Sequence, residues 1–168
     1  MIFETVLHMK KMLGHLDQWL VAATSHAQKK SFDPNLFLGF RLAPDQFAFS
    51  RQVQSACDTP KLAAARLSGK QPPSHPDTET TVEELRARIA STIQYLDGFT
   101  AKDFEGAADR TVTQPRWEGK VMRGQDYFLE HAMPNFFFHL VTAYAILRHN
   151  GVELGKRDYL GALSLRQP

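Results

Sequence analysis

Apolar residues recur at steps of three and four along most of this chain, which is the period of an amphipathic helix. Phe3, Val6, Leu7, Leu13, Leu16, Trp19, Leu20 and Ala23 predict a long first helix from about Ile2 to Ala27. Ser31-Phe-Asp-Pro-Asn35 interrupts the pattern, and Leu36 to Arg41 forms a short link. Pro44 suits the first turn of a second helix carrying Phe47, Phe49, Val53 and Ala56 inward. Pro60 has no N–H for the turn behind it, so a kink or a division is expected there before the helix stops at Gly69. Thr80 or Thr81, followed by Glu83 or Glu84, is the signature of a capping box. It opens a third helix with Val82, Leu85, Ile89, Ile93 and Leu96 on its inner face, ending near Gly98. The strand-like alternation of Arg110–Thr113 and Lys120–Arg123 predicts a small hairpin. A last long helix follows from Gln125 to His149, bent at Pro134 and stopped by Asn150-Gly151.

These elements make one all-α domain over 1–168: a four-helix bundle with two long crossover connections and a β-hairpin before the last helix. Phe136 to Leu147 is apolar almost all round and must be covered on most of its surface. Three consecutive phenylalanines, Phe136, Phe137 and Phe138, point in three directions, so one of them should meet a partner surface. A homodimer is therefore expected.

Composition narrows the function. Twenty basic residues against 18 acidic leave a formal charge of +2, with no basic stripe or arginine-rich arm, so nucleic acid is not an expected partner. The longest apolar run is too short for a bilayer core of about 30 Å, and the first residues lack a secretion signal. The single cysteine, Cys57, excludes an internal disulfide and fits a reducing, cytoplasmic setting. Its apolar neighbours read as those of a small buried hydrophobe rather than a nucleophile. No phosphate loop, nucleophile elbow, His-Glu-x-x-His or Cys-x-x-Cys is present. His75, in the proline-rich 70–79 connection, reads as a solvated side chain.

The chemistry-bearing pattern is a polar row on the last helix. His131, Asn135 and His139 are four residues apart and share a face. Gln54 and Asp58 are a turn apart on the second helix, and either could orient His139 as a general base near neutral pH. The candidate cavity is thus lined by Gln54, Asp58, Asn135 and His139. A divalent metal in a bundle needs three or four inward ligands, and the neutral amide of Asn135 is a poor one. His131 stands about 12 Å from His139 along a regular helix. No cofactor is expected on these grounds. The alternative is zinc or nickel held by His139 with Asp58, His131 or His15.

The stretches Pro134–Gly161, Gln52–Asp58, Ala63–Leu67 and Asp77–Thr81 together resemble an uncharacterised bacterial family, a domain of unknown function, within the DinB/YfiT-like superfamily of four-helix bundles. The resemblance spans nearly the whole chain. It implies that fold, frequent dimers, and a divalent metal held by three histidines, one on the second helix and two on the last. Here His139 matches the second of that pair, Asn135 stands in place of the first, and Gln54 stands near the second-helix position. Members of the superfamily transfer low-molecular-weight thiols or hydrolyse small molecules. For this chain the resemblance implies the scaffold, with a degenerate metal site and a small polar cavity open to a small molecule. A metal-dependent thiol transferase or hydrolase and a dimeric interaction module are the alternatives.

Overall fold

The structure, a computed structural model, describes residues 1–167. α1 spans Ile2–Lys29, α2 Phe49–Ser68 and α3 Val82–Asp97. α4 is continuous but has three parts: Gly124–Asp126, a π-helical turn at Tyr127–Ala132, and Met133–His149. A short α5, Lys156–Leu160, folds back on α1. Around the bundle the order is α1, α3, α2, α4, with α4 returning to α1. The inner faces of α1 and α4 bury Met9, Leu13, Leu16 and Leu20 against Phe136, Leu140, Ala143 and Ile146, all fully enclosed. Each large apolar side chain so enclosed contributes roughly 1.5–3 kcal/mol. That burial, more than helix propensity, holds the elements.

Several local expectations hold. Thr81 caps α3 by accepting from the Glu84 N–H, and the Glu84 carboxylate returns to the Thr81 N–H. Gly151, at φ +88°, ends α4, and the Val152 N–H closes on the Leu147 carbonyl. The hairpin is present but shorter than expected: β1 (Thr111–Val112) pairs antiparallel with β2 (Met122–Arg123).

Others are corrected. α2 begins at Phe49, not Pro44. Pro44 sits instead in a tight turn where the Gln46 N–H meets the Ala43 carbonyl, and the Phe49 N–H is taken by Phe40. Pro60 does not divide α2, which runs unbroken to Ser68. At Pro134 the helix changes pitch just upstream. Proline has no N–H to offer the carbonyl one α-turn back, and the Met133 N–H reaches over five residues to Phe128. The three phenylalanines do diverge: Phe136 is fully buried, Phe137 half-buried and Phe138 57% exposed. Among the described residues no helix is long and apolar enough to cross a membrane.

A cationic cleft between the second and fourth helices

Polar contacts place α2 antiparallel to α4: Gln52 meets His139, Thr59 meets Asn135, and Arg66 meets Tyr127. Between these rows lies a cleft of about 330 Å³. Tyr127, His131, Asn135 and His139 line it from α4, every fourth residue across the π turn. Arg51, Ser55, Asp58, Thr59, Leu62 and Arg66 line it from α2. The loop between β1 and β2 closes one end with Gln114 and Arg116.

His139 is 8% exposed. Its Nδ1 lies 2.8 Å from Gln52 Oε1. Gln52 commits its own Nε2 to the Phe47 carbonyl, so the amide oxygen faces the ring and Nδ1–H donates to it. The remaining lone pair is on Nε2. Burial, reinforced by the Arg51 guanidinium, pushes the ring down to about 4. At neutral pH it is an uncharged acceptor, poorly matched to general-base work.

The other predicted residues separate. Asn135 donates to Thr59 Oγ1 at 2.7 Å, and Thr59 passes the bond on to the Ser55 carbonyl. Asp58 borders the cleft, but its carboxylate is held by Lys61 at 2.7 Å and Arg88 at 2.8 Å rather than by His139. Gln54 is not among the lining residues; it donates to Glu79 Oε2 at 2.8 Å, and Gln52 takes the place on His139 expected for it. His15 lies elsewhere, with Nδ1 on the Tyr159 carbonyl of α5. His131 stacks on Tyr127 at 5.5 Å and meets the edge of Trp117 at 5.6 Å. Burial, then Arg116 and Arg66, lower its proton affinity.

This donor set does not suit a divalent ion. Around His139 stand the amides of Gln52 and Asn135, neutral oxygen and nitrogen groups that bind transition metals weakly. Among the described residues no three His, Cys, Asp or Glu side chains come together as a cage. Cys57 is buried, and that burial pushes its thiol up to about 12, in keeping with a packing role.

Two arrangements escaped the sequence. Arg88, with its side chain 2% exposed, gathers Asp58, Asp77 and Glu79 and so pins the 69–81 connection to α2 and α3. His75 is half-buried rather than solvated: its Nδ1 lies 3.2 Å from Lys61 Nζ and its Nε2 2.9 Å from Ser91 Oγ. Because an ammonium can only donate, Nδ1 accepts and Nε2–H donates to Ser91. The hydroxyl therefore has no base beside it and is not an activated nucleophile. A strongly buried arginine invites carboxylate partners, but nothing in the spacing says which ones.

No curated protein matches the chain. A crystal structure of a DinB family member protein from Shewanella denitrificans is 50% identical to it, covering 97% of this chain and 93% of that one, with a TM-score of 0.93. Residues 2–160 match the family described as a domain of unknown function, DUF1993. Fold and sequence thus agree on a DinB-like helical bundle, and this chain belongs to the DUF1993 family.

Proposed function

We propose that the protein binds a small polar molecule in the α2–α4 cleft without the help of a metal ion. The observation that carries this reading is the state of His139: one ring nitrogen is committed to Gln52, the other is a free neutral acceptor at a polar cleft, and amides surround it where metal ligands would be needed. A cleft of this volume falls in the range of small-molecule sites. Elemental analysis of untagged protein, purified without chelator, is expected to find far less than one zinc or nickel per chain. Small polar compounds should raise the melting temperature of the wild type but not of Ser55→Trp, whose indole fills the cleft. A stoichiometric ion, or equal shifts in both proteins, would overturn the reading.

A second reading, self-association, is favoured by a different observation. Phe138 and Val141 are one turn apart on α4 and expose 57% and 47% of their surfaces, beside the half-buried Tyr144 and Tyr159. Exposed apolar strips of this kind commonly meet a partner. Sedimentation velocity should show a concentration-dependent dimer that Phe138→Glu converts to monomer. A wild type that stays monomeric at high concentration would remove this reading.

A further inference from the structure

The cleft holds more positive charge than its surroundings neutralise. Asp58 is the one carboxylate lining it, and that group is committed to Arg88 and Lys61. Arg51 shares the Asp77 carboxylate with Arg88. Arg66 and Arg116 have none: among the described residues neither forms an ion pair. Arg66 instead donates to the Tyr127 hydroxyl at 2.9 Å and lies over that ring at 5.7 Å. Arg116 donates to His131 Nε2 at 3.2 Å, where the Gln114 amide also arrives at 3.3 Å. Two donors on one lone pair fix the proton of neutral His131 on Nδ1, and that buried N–H has no partner.

One end of the cleft therefore presents two uncompensated guanidiniums, a side-chain amide and a neutral imidazole whose lone pair is already used. Apart from the Gln114 amide oxygen and the Tyr127 hydroxyl, which can also accept, the unspent capacity there is donor. Guanidinium forks match the oxygens of carboxylates and phosphates in pairs, which favours such anions over isolated halides. Farther along, Leu62 and Phe47 supply apolar wall.

We propose that the molecule bound in this cleft carries an oxyanion, a carboxylate or a phosphate monoester, seated between Arg66 and Arg116 with its apolar body toward Leu62. The proposal rests on the α2–α4 cleft being the binding site and adds the charge class of the occupant.

Calorimetric titration of the full chain with phenyl phosphate, benzoate and the neutral isostere benzamide tests it. Saturable binding of phenyl phosphate or benzoate is expected, at least tenfold tighter than benzamide, and weakening as sodium chloride is raised. Whichever anion binds tighter identifies the head group. Arg116→Gln changes an exposed residue and should fold normally; it is expected to weaken the anion at least tenfold while leaving benzamide unchanged. Arg66→Gln should do the same, with circular dichroism confirming the helices. Benzamide binding as tightly as the anions, with no effect of either substitution, would overturn the oxyanion class and leave the cleft reading standing. No saturable binding of either anion would also overturn it. The cleft reading itself fails separately, if Ser55→Trp leaves ligand-induced stabilisation intact.

Discussion

His139 is steered by one amide and one cation, and together they decide where its proton goes. Gln52 receives the Nδ1–H, while burial and Arg51 push the ring down to about 4 from the usual 6.5. The folded state thus prefers the neutral form more strongly than the unfolded chain does. Its contribution is fully present above pH 6.5 and is lost as pH falls toward 4. Urea titrations from pH 7 to pH 4 should show the wild type losing about 3 kcal/mol more than His139→Gln, which cannot titrate. Parallel losses in the two proteins would show that the ring is not the sensitive group. The four-residue spacing of His131, Asn135 and His139 made their shared face readable from the chain. The identity of the glutamine was not: Gln52 and Gln54 lie two positions apart on α2, so they point in well-separated directions, and only the packing phase of α2 against α4 selects between them.

Among the elements, the entry into α4 is the most constrained. A Cβ placed on Gly124 would stand 2.0 Å from the Ala107 carbonyl oxygen and 2.9 Å from Leu67, while the Gly124 N–H is bonded to Arg110 at 2.7 Å. Backbone must move to admit even a methyl group. Gly124→Ala should therefore cost about 2 kcal/mol, a fall of roughly 4–8 °C in melting temperature for a chain of this size. Gly14, in the middle of α1, has no atom within 4 Å of its virtual Cβ, so Gly14→Ala should leave the melting temperature unchanged or raise it. Equal losses at the two sites would contradict this account. Helices, caps and the hairpin were legible because each depends on neighbours close in sequence, as the Thr81–Glu84 box shows. The start of α2 was not, because Pro44 serves a helix and a turn equally well and the Phe40–Phe49 closure decides between them.

For the molecule as a whole, the cleft exists only because distant pieces converge. Arg66 reaches Tyr127 across 61 residues, and the hairpin loop returns 15 residues to set Arg116 on His131. Such meetings leave no periodic trace, which is why the charged end was invisible in the chain while its polar row was plain. The wider turn at Tyr127–Ala132 fixes how the two ends of that row are phased. It holds one residue more than the α-helical path would need, so it is also a place where the chain can be shortened. Removing the partly exposed Leu129 lets the turn tighten to α-helical pitch while the segments on either side keep close to their present phase. The bundle downstream and the hairpin upstream would both keep their packing, with Trp117 still against the His131 and Tyr127 rings. Its emission should then stay where it is at unchanged helix content; a red shift would mean that the hairpin has come away from the rings. A single spare residue is thus slack taken up inside the wall of the helix, and both halves of the cleft stay in register around it.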